Sequence, residues 1–266
     1  MQLENKIALV TGAGCGIGRA TALEMAREGA DIVVNDLNKD SAEETATMIK
    51  ELGREGIALQ ADVGTSSEVN RVIAQALKEF GRIDILVNNA GTYFPHEGGI
   101  VNLPDEAWQN TLNVNLNGPF YCARAVLGDM IHRKEGGKII NIGSDAGRVG
   151  EYQEAVYGAC KGGVIALSKA LARELGRYNV NVNVVCPGLT LPEKSEDAGA
   201  MSLWHSDSPQ SRIFRNEETL AKVVRRYPLR RHGLPTDIVP LVLLLASDQS
   251  SYVTGQVISV SGGYAM

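Results

Sequence analysis

The chain has 266 residues, 44% of them hydrophobic and 21% charged, which suits a sizeable core and excludes a disordered chain. The formal net charge of -5 argues against a dedicated nucleic-acid binder, and no apolar run is long enough to span a bilayer. Four cysteines, at 15, 122, 160 and 186, share neither a CxxC pair nor a zinc spacing, so buried reduced thiols are expected and no metal is.

In chain order, short apolar runs alternate with longer amphipathic stretches. The start, "MQLENKIALVTGAG", lacks the pattern of a signal peptide, so a soluble cytoplasmic protein is expected. Residues 7–10 form the first strand and residues 18–29 a helix stopped by Gly29. Strand two is 31–36, followed by a helix over 41–52, strand three at 56–62 and a helix over 67–80. Strand four, 83–91, ends in a tight Asn-Asn-Ala-Gly turn. A long helix over 105–133 is expected to break near Gly118-Pro119. Strand five is 137–144, a helix covers 155–177, strand six is 180–188, a helix covers 236–246, and 255–263 is the last strand.

Near-continuous apolar strands between helices predict an α/β chain with a doubly wound, Rossmann-type, mostly seven-stranded parallel sheet and helices on both faces. Residues 1–266 read as a single domain. The polar, irregular stretch of about 189–226 follows strand six and is expected to be a substrate lid, because ligands bind outside the carboxyl ends of such strands.

The loop "TGAGCGIG" (11–18) joins the first strand to the first helix, the context in which a glycine-rich run points to a dinucleotide. Glycine permits a sharp turn and close backbone approach, and the helix N-terminus offers N–H groups to a pyrophosphate. Asp36 ends strand two, where a carboxylate accepts hydrogen bonds from ribose hydroxyls and repels a 2′-phosphate. Cys15 is not replaced by Arg or Lys, and Leu37 follows Asp36, so NAD is expected rather than NADP; Arg19 is the one nearby cation.

The loop spacing is TGxxxGxG. With Asp62-Val63, "NNAG" (88–91), Asn115 in "NVNLNG", Ser144 in "INIGSDAG", Tyr157 and Lys161 in "YGACK", and Pro187-Gly188, the whole chain resembles the short-chain dehydrogenase/reductase superfamily. The resemblance implies a catalytic set of Asn115, Ser144, Tyr157 and Lys161. Tyr157 would be the general acid/base, with Lys161 one helical turn on and the charge of an oxidised nicotinamide together lowering the phenol from its usual ~10. Ser144 would orient the substrate oxygen, and Asn115 would hold a water linking Lys161 to solvent. Cofactor contacts would come from Gly12, Cys15, Gly16, Ile17 and Gly18, from Asp36 and Leu37, and from Asp62 and Val63 at the adenine. Asn89, Ala90 and Gly91 would pass behind the ribose, Tyr157 and Lys161 would face the nicotinamide ribose, and Pro187, Gly188 and Thr190 would lie by the nicotinamide. Thr190 would stand in for the family's threonine, whose position holds Pro192.

Within the superfamily the chain is similar to 2-hydroxycyclohexanecarboxyl-CoA dehydrogenase-like and 3-oxoacyl-carrier-protein reductase-like members. The expected activity is NAD-dependent interconversion of a secondary alcohol and a ketone on a small-molecule substrate, such as a cyclic alcohol or hydroxyacyl thioester. An NADPH-dependent ketoreductase and a non-catalytic NAD-sensing regulator are the alternatives. The substrate side would comprise 91–99, Arg148 to Glu154 and the lid, with Tyr93, Phe94, His96, Tyr152, Trp204 and His205 as candidate pocket residues and Arg148, Arg212 or Arg215 to hold an anion. Ala159, Gly162, Gly163, Ala166 and Ala170 suit close helix packing, and family members are commonly tetramers, so a homotetramer is expected, with no nucleic-acid or membrane partner.

Overall fold

The computed structural model describes residues 1–93, 99–193, 198, 204, 211, 212, 214 and 216–266. Seven strands pair in parallel: β1 (Ile7–Thr11), β2 (Asp31–Asp36), β3 (Gly56–Gln60), β4 (Ile85–Asn88), β5 (Gly137–Ile142), β6 (Val180–Pro187) and β7 (Val257–Val260). Their order is β3-β2-β1-β4-β5-β6-β7. All residues of β1, β4 and β6 are buried, whereas the edge strands β3 and β7 are partly exposed. Burial on both faces explains why the central strands read as unbroken apolar runs.

Alternate strand residues feed two cores. Ala8, Val10, Ile32, Val34 and Ile140 pack with Met25 of α1 (Gly16–Arg27), Ile49 of α2 (Lys39–Glu51) and, late in the chain, Ile238 and Val242 of a helix at Pro235–Ala246. Ile7, Leu9, Val33, Leu86 and Ile139 face the other way, onto Val69 and Ile73 of α3 (Ser66–Phe80) and a second group of helices. The period-four row Val69, Val72, Ile73 and Ala76 makes α3 amphipathic, and Gly81, at φ 75°, ends it in the left-handed region. The remaining helices are α4 (Asp105–Leu112), α5 (Gly118–Arg133), α6 (Ala146–Val149), α7 (Ala155–Leu175), α8 (Glu217–Val224) and α9 (Pro235–Ala246).

Two features refine the sequence reading. The long helix is interrupted near Gly118-Pro119, as expected, by a π-turn over Asn113–Asn117 that joins α4 to α5, while Pro119 itself sits in the first turn of α5. Proline has no N–H for the carbonyl four residues earlier, here Asn115, and the wider turn accommodates that loss upstream. The stretch at 189–226 is also not wholly irregular, since α8 lies in it, capped by Asn216 accepting from the Thr219 N–H at 2.9 Å. Much of the rest of that stretch lies outside the described residues.

The chain builds β1 to β3 on one side, then crosses to β4 on the other side of β1. The carboxyl ends of β1 and β4 therefore flank the point where strand order reverses, where such sheets bind ligands.

Candidate active site

The loop after β1 forms a backbone cradle. Gly12 has φ +61°, and a Cβ there would come 2.9 Å from the Ala90 Cα; one on Gly18 would come 2.1 Å from the Gly12 carbonyl oxygen. At Gly16, φ +55°, a Cβ would meet nothing within 4 Å, so this side of the loop is open to a ligand. Behind it the N-terminus of α1 carries no acidic residue in its first turn, leaving its N–H groups and dipole to an external anion. Cys15 is the N-cap residue and Ile17 packs on the core. A dinucleotide pyrophosphate fits this cradle.

Asp36 is held at the edge of the same crevice. Its Oδ2 accepts from the Gly14 N–H at 2.8 Å and its Oδ1 from the Asn38 N–H at 2.9 Å. Leu37 beside it is exposed. Arg19 is ion-paired to Glu44 of α2. Asp62 accepts from the Gly64 N–H at 2.8 Å, and Val63 is buried against Gly118. Just past β4, Asn89 donates to the Thr11 and Gly12 carbonyls at 2.9 and 3.0 Å, which locks the Asn89–Ala90–Gly91 turn onto the glycine loop.

Beyond that turn the four candidate catalytic residues come together. Asn115 is fully buried in the π-turn; its amide donates to the Thr92 and Thr111 carbonyls at 2.7 and 3.0 Å, and its Oδ1 accepts from the Thr92 N–H at 3.3 Å. Lys161 donates to the Ile142 carbonyl at 2.9 Å. A Cβ on Gly91 would lie 3.1 Å from Asn115 Oδ1 and 3.6 Å from Lys161 Nζ, so both groups converge on this glycine. The Lys161 Nζ is 5.5 Å from the Tyr157 ring centroid, and the Ser144 hydroxyl is near enough to the Tyr157 phenol to favour its ionised form.

Electrostatics here show what the Lys161 charge has to offset. Burial pushes the phenol of Tyr157 up, the Glu154 charge adds to this, and the Ser144 hydroxyl opposes it. Lys161 is itself lowered to about 8 by burial, and its ammonium is directed to a carbonyl rather than to the phenol.

A cavity beside Tyr157 is walled by Tyr93, Leu103, Thr111, Gln153, Glu154 and Val156. Tyr93 meets the Tyr157 ring edge-on at 6.1 Å. Other candidate pocket residues are elsewhere: Tyr152 is exposed, Arg148 bonds Ser259, Arg212 is exposed and Trp204 packs against Phe214. Phe94, His96, His205 and Arg215 lie outside the described residues. Glu154 closes the 148–154 stretch expected on the substrate side, without a role of its own there; three residues before Tyr157, it lies near the same face of the helix start.

Pro187 and Gly188 end β6 beside this site. Thr190 donates inward to the Gly188 carbonyl at 3.1 Å. The segment rests on Tyr227, whose hydroxyl accepts from the Leu189 N–H at 3.0 Å and whose ring edge would lie 3.0 Å from a Cβ on Gly188. Tyr227 stacks on Tyr264 at 4.8 Å, and Tyr264 in turn bonds Glu151 and Arg226. Among the described residues, no three His, Cys, Asp or Glu side chains gather as a metal site, and no helix is long and apolar enough to cross a membrane.

Comparison with known proteins agrees with this geometry. Residues 12–265 match the family described as enoyl-(acyl carrier protein) reductase. The chain is 36% identical over 266 residues to the (2S)-[(R)-hydroxy(phenyl)methyl]succinyl-CoA dehydrogenase subunit BbsD of Thauera aromatica, covering 100% of this chain and 99% of that protein. It is 38% identical over 263 residues to the 3-oxoacyl-[acyl-carrier-protein] reductase FabG of Staphylococcus epidermidis, covering 98% and 100%. A crystal structure from Sinorhizobium meliloti 1021, assigned as a short-chain alcohol dehydrogenase, superposes with a TM-score of 0.87 at 32% identity over 99% of this chain and 97% of that one. With fold, crevice and full-length relatives in agreement, the chain belongs to the short-chain dehydrogenase/reductase family, oxidoreductases that bind a nicotinamide cofactor and act on CH–OH groups.

Proposed function

We propose that this chain is an NAD-dependent dehydrogenase that interconverts a secondary alcohol and a ketone, with Tyr157 as the proton-transfer residue. The observation that carries this is the meeting of Ser144, Tyr157, Lys161 and Asn115 beside the cradle of Gly12, Gly16 and Gly18. When bound, a nicotinamide supplies the hydride acceptor or donor. In the oxidative direction Tyr157 takes the hydroxyl proton, and Ser144 orients the oxygen. The buried Lys161 ammonium, aided by the charge of an oxidised nicotinamide, offsets the cost of ionising the phenol. The proton then leaves by way of Lys161. Since the Asn115 amide is committed to Thr92 and Thr111, its main-chain carbonyl, which Pro119 cannot serve, is the group that carries the relay water.

Asp36 supports NAD, because its fixed carboxylate suits ribose hydroxyls and Glu44 already neutralises Arg19. A hydroxyacyl thioester is the substrate class favoured by the names of the two enzymes compared above. Tyr157→Phe is expected to lower kcat by about 10²–10⁴-fold, followed by NADH absorbance, with cofactor Kd nearly constant. Undiminished activity would sink the proposal.

A second reading, an NADPH-dependent 3-oxoacyl ketoreductase, is favoured by the 38% identity to FabG. Kd values for NADH and NADPH separate the two. The NAD reading expects NADH to bind tighter and Asp36→Ala to shrink the difference.

The homotetramer is retained in modified form. Gly162 and Gly163 pack inside the subunit, against Gly147 and Leu116, which leaves Ala159, Ala166 and Ala170 exposed among the five small residues considered. A light-scattering mass near 28.5 kDa, that of one chain, would refute it.

A further inference from the structure

One charged wall of the cavity has no part in the proton transfer described above. Gln153 holds a left-handed backbone, φ 63°, and its carbonyl accepts from the Tyr93 hydroxyl at 3.3 Å. A non-glycine residue in that region is uncommon and is maintained by its surroundings. Here it turns the chain so that Glu154, the next residue and the N-cap position of α7, joins Tyr93 and Tyr157 in lining the same cavity. Because it lines one cavity with both phenols, the carboxyl stands beside the reacting position. Glu151, whose like charge also acts on it, is already engaged by Tyr264 and Arg226.

Resting on the dehydrogenase reading, we propose that Glu154 sets the charge of the acceptable substrate: the site takes ketones and alcohols whose neighbouring group is neutral, such as an ester or thioester, and rejects those with a carboxylate beside the reacting centre. A substrate carboxylate there would meet a like charge across a partly desolvated cavity, where repulsion is much less screened than in water. A neutral ester or thioester meets no such repulsion.

The test is a set of short 3-oxo acids, each paired with its methyl ester, reduced with NADH at pH 8, above the value of about 7 to which burial raises Glu154. The quantity read is the ratio of kcat/KM for acid to that for ester. The wild-type ratio is expected well below one. Glu154→Gln is expected to raise it about tenfold, which corresponds to about 1.4 kcal/mol, and Glu154→Lys to raise it further. Thermal melts check that each variant is folded, and the two variants test the trend independently. Parity of acid and ester in the wild type, no turnover of any ester, or a ratio indifferent to the three side chains overturns the inference. A Tyr157→Phe enzyme that still reduces the esters overturns the dehydrogenase reading instead.

Discussion

Thr11 shows how one side chain sets the geometry of a site it never enters. Its buried hydroxyl donates to the Val87 carbonyl and accepts from the N–H groups of Asn89 and Ala90, both at 3.0 Å. Thr11→Val keeps the shape and leaves two N–H groups unserved. The expected cost is about 1–3 kcal/mol per orphaned group, read by urea denaturation, together with weaker NADH binding as the Asn89–Gly91 turn loosens. Tyr157 and Lys161 were picked out in the sequence by the run of family motifs around them, since their four-residue spacing alone is common on ordinary helix faces. Their electrostatic state was not legible, since it depends on what buries them. Glu154 fell within the expected substrate side but without a role, for a related reason: a carboxylate at a helix start looks like an ordinary dipole partner until the cavity beside it is seen.

At the scale of elements, contact between the short α6 and the long α7 aligns Ser144 with Tyr157. A Cβ on Gly147 would come 2.6 Å from the Lys161 main-chain carbon and 2.7 Å from the Gly162 nitrogen. These are backbone atoms and cannot swing aside. Gly147→Ala is expected to cost about 1–3 kcal/mol in stability and to lower kcat more than it raises KM for NAD, as Ser144 is pushed away from the phenol. Stability and steady-state rates, measured on one preparation, check both. The strands were legible because burial on two faces leaves an unbroken apolar signature. The π-turn was not: Pro119 announces a disturbance, but where the helix absorbs it depends on Asn115 being held by Thr92 and Thr111. The packing of Gly163 on Leu116 rather than on another subunit is likewise a tertiary fact.

For the molecule as a whole, the site is a source of instability at the pH where it is expected to work. Glu154 binds its proton more tightly in the folded chain, with its value raised from 4.5 to about 7, so its contribution is present below about pH 4.5 and lost as pH rises through about 7. Lys161 is the reverse case, lowered from 10.5 to about 8, so its burial cost stands below about pH 8 and fades toward 10.5. Both costs therefore coincide between about pH 7 and 8. Glu154→Gln is expected to stabilise the fold at pH 7.5 by at most about 3 kcal/mol and to leave it unchanged at pH 4.5, measured by urea unfolding at the two values. An equal effect at both would show that the carboxyl is not perturbed by folding.

The Tyr264 stack has a practical side. Met266 is exposed, while Ala265 and Tyr227 are buried, and two steps of contact join the chain's last residues to the strand end beside the site. Anything spliced onto the carboxyl end pulls on that joint. A purification tag or a fused reporter belongs at the exposed Met1, and a loss of rate on tagging the other end would register the joint working loose rather than damage to the fold.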